Sequence, residues 1–114
     1  MRITERTAGA ATILEFEGKL VAGPGLGLLQ DKVNSLIYQG RRRLVFNLEG
    51  LSSIDSAGQG QLVTCQTTVS GAGGSIALCH VDGRHRDLLV LTRLLTTFDI
   101  VESEEDAIAY LSAA

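Results

Sequence analysis

The chain has 114 residues, enough for one ordinary domain with a buried core, and we expect residues 1–114 to form that domain. Apolar residues make up 45% of the chain and charged residues 20%, a balance typical of globular rather than disordered protein. The formal net charge of -3 and the scarcity of aromatic residues both argue against nucleic-acid binding. No apolar run approaches the roughly 20 residues of a membrane span, and the polar first residues do not resemble a signal peptide.

The two cysteines, Cys65 and Cys79, lie in segments whose patterns indicate a helix and a strand. Neither belongs to a CxxC pair or has a histidine at the spacing of a metal site. The sequence therefore predicts two buried thiols in a protein of the reducing cytosol, and no metal centre.

Short apolar runs alternate with helical patterns along the chain, which indicates an α/β fold. Residues 2–6 are predicted to form an edge strand. Apolar and polar residues alternate near the end of residues 11–17, which predicts a second strand that Gly18 ends.

A helix is predicted over residues 24–39, where apolar residues recur at helical spacing. Pro24 suits its first position because the missing N–H has no partner there in any case. Gly40 is placed to cap its C-terminus. Gly25 and Gly27 weaken the first turn, so we expect the helix to begin one or two residues later.

The middle of the chain predicts two central strands on either side of a second helix. Residues 44–48 are almost continuously apolar, as in a strand that is covered on both faces. Residues 57–70 carry a helical apolar stripe, and residues 75–79 form another apolar run.

The last third of the chain predicts a helix over residues 84–95 and a short extended piece over 98–101. Ser103 and Asp106 resemble a capping box, so a final helix is expected to begin there. Together these elements predict a small mixed sheet of four or five strands with about four helices.

The most informative segment runs from Leu51 to Val63, between a central strand and the helix that follows it. Ligand sites of open α/β sheets favour the carboxyl ends of strands. Either Asp55 or Ser56 could cap the helix, and two glycines in its first turn would let it lie close to the sheet. We expect the preceding residues, Ser52 and Ser53, to be in a loop.

The sequence Asp-Ser-Ala-Gly-Gln-Gly at residues 55–60 resembles the signature of STAS domains, the family of bacterial anti-sigma factor antagonists and their relatives. The resemblance extends over nearly the whole chain. Residues 18–20 match the Gly-x-Leu at the end of the second strand, and the Gly73-Gly74 turn before a strand also matches.

The resemblance implies a single STAS domain and a non-enzymatic role in partner switching, in the cytoplasm and without a cofactor. In such antagonists, the serine after the aspartate is phosphorylated by an anti-sigma factor that is itself a serine kinase. The unphosphorylated antagonist binds that kinase and displaces a sigma factor, and a serine phosphatase resets the cycle. By position, Ser56 is the phosphoacceptor.

The resemblance also assigns a partner-binding surface to the signature. Asp55 would position the Ser56 hydroxyl, and the glycines would keep the surface flat enough for a partner to approach. A bulky residue at either glycine is then expected to damage docking more than folding. The predicted surface comprises Asp55, Ser56, Ala57, Gly58, Gln59 and Gly60.

Three departures from the family pattern bear on the partner. Gln59 stands where an apolar residue is usual, and Ala57 leaves Ser56 as the only acceptor inside the signature. Residues 21–23 are Val-Ala-Gly where an acidic residue is frequent. STAS domains also serve in transporters and stress-sensing complexes, some without phosphorylation, and this role stays open as the alternative.

Two other kinds of site have weaker support. A hydrolase would combine Ser56 with His80 or His85 and an acid such as Asp82, but no Gly-x-Ser-x-Gly elbow is present. His80, Asp82 and His85 also lack a recognised metal-ligand spacing.

Two motifs have no role in this interpretation. The glycine-rich segment Gly23–Gly27 lacks the lysine and hydroxyl of a phosphate-binding loop and indicates a flexible helix entrance. The run Arg41–Arg43 is interpreted as a solvated turn, with contact to an acidic partner or to phosphate as the alternative.

Overall fold

The computed structural model describes residues 1–81 and 98–112. Strands and helices alternate as the sequence predicts, and the predicted α/β fold is confirmed. In chain order the elements are β1 (Arg2–Ala8), β2 (Ala11–Leu20), α1 (Pro24–Tyr38), β3 (Arg43–Ile54), α2 (Ser56–Gly71), β4 (Ser75–Cys79), β5 (Asp99–Val101) and α3 (Glu104–Ser112).

The five strands form one mixed sheet in the order β1-β2-β3-β4-β5. The hairpin of β1 and β2 is antiparallel, and every later pair of neighbouring strands is parallel. Strand β1 lies at the edge, as predicted. The central position of β3 explains its almost continuously apolar run, because residues 44–48 are buried from both faces.

Helices cover both faces of the sheet. One face packs against α1 and α2, with side chains such as Phe16 and Phe46 from the sheet facing Leu29 and Leu62 from the helices. The other face packs against α3 through a smaller cluster. Alternate residues along the strands serve the two cores because successive side chains point to opposite faces.

A group of polar contacts joins α3 to the sheet. The carboxylate of Glu104 accepts hydrogen bonds from Arg6 Nη2 at 2.7 Å and from Asn47 Nδ2 at 2.6 Å. Arg6 also pairs with Glu15. Burial opposes ionisation of Glu104, but the bonds from Arg6 and Asn47 outweigh it and hold the pKa of Glu104 below its usual value.

The helix termini test the capping predictions. Helix α1 begins at Pro24, so the expectation of a later start was wrong. Pro at the first position offsets the weak first turn because its φ is already helical. At α3, the N–H of Asp106 donates to Ser103 Oγ at 3.1 Å, which confirms Ser103 as the cap.

Two predictions about strand ends were wrong. Gly18 does not end β2, which continues to Leu20 with a register shift against β3 just after this glycine. Gly18 takes a φ of +100°, a conformation that glycine adopts without strain. Strand β3 likewise continues to Ile54, so Ser52 and Ser53 lie in the strand and not in a loop.

Both cysteines are free and buried, as predicted. Burial raises the pKa of Cys65 to about 11 and that of Cys79 to about 12, so neither is a reactive thiolate at neutral pH. The predicted helix over residues 84–95 lies outside the described residues, and three helices are seen within them.

The packing of the larger core predicts a strong contrast between two leucines. Leu78 on β4 is fully buried, whereas Leu28 on α1 is 51% exposed. We expect Leu78→Ala to lower the free energy of unfolding by about 2–5 kcal/mol. The matched variant Leu28→Ala should stay within about 0.5 kcal/mol of the original protein in urea titrations. Equal losses at the two positions would contradict this account of the core.

Candidate functional site

Asp55 lies between β3 and α2 and caps the helix. Its backbone is extended, with φ -104° and ψ -177°, and its Oδ1 accepts a hydrogen bond from the N–H of Gly58 at 2.8 Å. Of the two candidate caps in the sequence, Asp55 is therefore the one that serves. Ser56 is the first residue of the helix.

The same carboxylate also holds the loop between β2 and α1. Asp55 Oδ2 accepts a hydrogen bond from the N–H of Ala22 at 2.9 Å, and the N–H of Asp55 donates to the carbonyl of Leu20 at 3.3 Å. The side chain of Asp55 thus connects two segments that are 33 positions apart in the sequence. The sequence analysis named Ala22 only as part of a segment that bears on the partner. It missed the contact with Asp55, because Ala22 contributes a backbone group.

These hydrogen bonds stabilise the ionised carboxylate. The N–H groups of Ala22 and then Gly58 hold the pKa of Asp55 below its usual value. A fixed negative charge is therefore present at the start of α2 at neutral pH, where the positive end of the helix dipole favours it.

The residues of the predicted partner surface differ in exposure. Ser56 and Gly60 are exposed, and Asp55 and Ala57 are half-buried. Gly58 and Gln59 are buried. A partner could therefore contact Ser56 and Gly60 fully, and Asp55 and Ala57 in part.

Gly58 has a structural reason for being glycine. A Cβ at this position would collide with the backbone carbonyl of Leu20 at the end of β2. At Gly60, by contrast, no atom lies within 4 Å of a Cβ position. The expectation that a bulky residue at Gly58 would affect docking more than folding therefore does not fit this position, because the side chain would meet the protein's own backbone.

The structure gives no support to the hydrolase site or the metal site that the sequence analysis considered. Within residues 1–81 and 98–112, no group of His, Cys, Asp and Glu side chains could hold a metal ion. His80 follows β4 with a φ of +56°. Asp82 and His85, the remaining members of the proposed triad and metal set, lie outside the described residues.

The sequence model of the STAS domain family matches residues 2–107. No curated protein matches the chain significantly. Among solved structures, one described as an anti-sigma factor antagonist from Thermotoga maritima has a TM-score of 0.88 and 22% sequence identity. The match covers 96% of this chain and 94% of that one.

The antagonist SpoIIAA matches in two states. The unphosphorylated form has a TM-score of 0.76 and 18% identity over 99% of this chain and 100% of its own. The phosphorylated form, from Bacillus, has a TM-score of 0.73 and 20% identity over 96% and 98%.

A sulfate transporter family protein from Wolinella succinogenes also matches, with a TM-score of 0.74 and 15% identity over 91% of this chain and 86% of its own. At identities this low, the likeness to these structures shows a shared fold. In the described part of this chain, no helix is both long enough and apolar enough to span a membrane.

The two glycines of the first turn should respond oppositely to alanine. Gly58→Ala should lower the free energy of unfolding by on the order of 1–3 kcal/mol, because the added methyl group forces the helix away from Leu20. Gly60→Ala should raise it by about 0.5–1 kcal/mol, because alanine is the better helix former and its methyl group meets open space. Urea titrations of both variants check this, and a stable Gly58→Ala protein would refute the close contact.

The low pKa of Asp55 predicts a pH-dependent contribution to stability. A carboxyl group with a lowered pKa in the folded state stabilises the fold above its unfolded pKa of about 3.9, and the contribution is lost as the pH falls through the folded value. Asp55→Asn should therefore be less stable than the original protein at pH 7, and the gap should narrow on acidification.

Chemical denaturation between neutral and strongly acidic pH measures that gap. Asp31→Asn is the control, because it removes the same charge from the exposed surface of α1. If the free energies of unfolding of Asp55→Asn and Asp31→Asn depended on pH in the same way, the hydrogen-bonded carboxylate of Asp55 would make no special contribution to stability.

Proposed function

The chain belongs to the STAS domain family, and we propose that it acts as an anti-sigma factor antagonist by partner switching. In this proposal, unphosphorylated protein binds a serine-kinase anti-sigma factor in the bacterial cytoplasm. Phosphorylation of Ser56 by that kinase releases it, and a serine phosphatase restores the binding form. The protein itself is not an enzyme in this cycle.

The observation that carries the proposal is the placement of Ser56. Its side chain is exposed at the first position of α2, directly after a carboxylate that is held by Ala22 and Gly58. A kinase can reach such a hydroxyl without unfolding the helix. The fold is shared with SpoIIAA, for which a phosphorylated form has been solved, and this likeness supports the same kind of modification here.

A phosphate on Ser56 would add a charge of about -1.5 to -2 beside Asp55. The carboxylate of Asp55 already accepts from the first turn of α2, so the phosphate would not find that helix end empty. It would instead stay hydrated and repel both Asp55 and any acidic group on the partner. A loss of even about 3 kcal/mol in binding weakens the complex by about two powers of ten.

The same repulsion extends the effect to the neighbouring loop. The N–H of Ala22 donates to the carboxylate that the phosphate would face, at a distance of 2.9 Å from Ala22 N to Asp55 Oδ2. Phosphorylation would therefore weaken the connection between α2 and the loop before α1. A partner that contacts both segments would lose complementarity at each of them.

One observation favours a second function. The fold is shared with a sulfate transporter family protein as well as with antagonists. Under this alternative, the chain is a subunit or domain of a transporter or stress-sensing complex and Ser56 is not phosphorylated. Gln59 does not decide between the two, because its side chain is buried and does not form part of the accessible surface.

Phosphorylation by a cognate kinase tests the proposal directly. After incubation with ATP and the kinase, we expect the intact protein to gain one phosphate, which maps to Ser56. Ser56→Ala should gain none and should keep its stability, because Asp55 and not Ser56 supplies the cap. Ser56→Asp should bind the kinase at least about tenfold more weakly, since one added negative charge faces the same surface.

Two serines provide controls for this experiment. Ser70 is exposed at the other end of α2, and Ser52 is exposed in β3 with its hydroxyl donating to the carbonyl of Gly18 at 3.1 Å. Ser70→Ala and Ser52→Ala should both accept one phosphate. A phosphate on either serine, or tight kinase binding by Ser56→Asp, would count against the switch, and co-purification with a transporter without phosphate would favour the alternative.

A further inference from the structure

The run Arg41–Arg43 borders a cavity of about 470 Å³ at the amino ends of the central strands. The other lining residues include Gly40, Gly74 and Ser75. Ser56 follows the carboxyl end of β3, so this cavity lies at the opposite end of the sheet from the phosphorylation site proposed above. Neither the antagonist nor the transporter function accounts for it.

The turn before β3 and the turn before β4 form the cavity together. The N–H of Ser75 donates to the carbonyl of Arg42 at 2.8 Å, and Arg42 Nε donates to the carbonyl of Ala72 at 2.7 Å. A Cβ on Gly74 would collide with the carbonyl of Arg42, so only glycine permits this approach. The wall that carries the arginines is therefore held by specific contacts and is not a loose loop.

The guanidinium groups of Arg41 and Arg42 each donate a hydrogen bond to a neutral acceptor, and these bonds use only part of their N–H donors. Arg41 Nη1 donates to Thr12 Oγ1 at 3.3 Å, and Arg42 uses its Nε on Ala72. Each guanidinium has five N–H donors in a planar fork, so both retain terminal N–H groups for a ligand.

The charge of the cavity is not balanced from within the described part of the chain. No lining residue carries a carboxylate, and the ion pairs of the described residues involve Arg6 and Lys32 but none of the three arginines. Three arginines therefore line one cavity in a chain of net charge -3. Their mutual repulsion is relieved by an anion placed between them.

The size and lining of the cavity indicate which class of anion it could bind. A volume of about 470 Å³ is that of a small-molecule site, not of a nucleic-acid groove. Arginine forks match phosphate oxygens in bidentate pairs, and several of them together favour a ligand with more than one negative charge. We propose that the Arg41–Arg43 cavity binds a small phosphate-bearing anion, either a free phosphate compound or a phosphate ester.

Titration with inorganic pyrophosphate, followed by the backbone amide NMR signals, tests this proposal. We expect saturable shifts at residues 40–43 and 73–75. Arg43→Gln should weaken binding about tenfold or more, because charge-assisted hydrogen bonds to one guanidinium are lost. The matched control Arg2→Gln removes the same charge from an exposed position near the carboxyl end of the sheet and should leave the affinity unchanged.

A second variant separates binding from folding. Arg42 also contacts Ala72, so Arg42→Gln could disturb the turn, whereas Arg42→Lys keeps the charge and loses the fork. Arg42→Lys should remain folded, with well-dispersed signals, and should bind pyrophosphate several-fold more weakly.

The alternatives are decided by the same titration. A simple phosphate ester such as glycerol phosphate, run beside pyrophosphate, distinguishes the two sources of the phosphate group. Equal or tighter binding of succinate would overturn the assignment to phosphate chemistry. Three results would overturn the site itself. The first is NMR shifts spread over the whole surface, and the second is an equal loss of pyrophosphate affinity in Arg2→Gln and Arg43→Gln. The third is binding of an acidic peptide in place of pyrophosphate.

Discussion

The carboxylate of Asp55 joins the two segments on which the candidate site depends. One oxygen caps α2 through the N–H of Gly58, and the other holds the loop after β2 through the N–H of Ala22. Both bonds are stronger to the ionised carboxylate than to the neutral acid, which is why they lower the pKa of this carboxyl group. Ser56 is presented at a defined position because its immediate neighbour is fastened at both oxygens.

This arrangement also changes the physical description of a phosphate at Ser56. At an unoccupied helix N-terminus, a phosphate would be stabilised by free N–H groups and by the dipole. Here a carboxylate already holds that position, so an added phosphate faces a competing negative charge at close range. Under the proposed function, phosphorylation of Ser56 would therefore act against the contact that connects α2 with the β2–α1 loop. A local change in charge would in this way alter the surface that a partner contacts.

The sequence predicted those parts of the structure that depend on neighbouring residues. A helix cap at Asp55 or Ser56, a cap at Ser103 and the buried run 44–48 are all local patterns. The structure confirms the last two and identifies Asp55 as the first cap. The contact between Asp55 and Ala22 was not predictable in the same way. It uses the backbone N–H of an apolar residue 33 positions away, and no pattern of side chains in the sequence indicates such a donor.

The errors at Gly58 and at the end of β3 have the same origin. Glycine in a first turn indicates close approach, but the sequence does not say whether a partner or the protein's own chain approaches, and here it is the carbonyl of Leu20. Ser52 and Ser53 look like loop residues, yet β3 continues to Ile54 through a shift in register against β2, in which Leu51 pairs with Gly18 and Ser53 pairs with Lys19. Both features depend on the pairing of β2 with β3, which is non-local.

The two ends of the sheet are physically separate as sites. Strand β3 runs for 12 residues between Arg43 at its amino end and Ile54 just before the cap. At about 3.3 Å per residue, this length exceeds two Debye lengths of about 8 Å at physiological ionic strength. Charge added at Ser56 is therefore screened from the arginines by the solvent around them. Coupling between phosphorylation and an anion at the Arg41–Arg43 cavity would therefore need a structural path such as β3, which runs from Arg43 at the cavity to Ile54 next to Asp55.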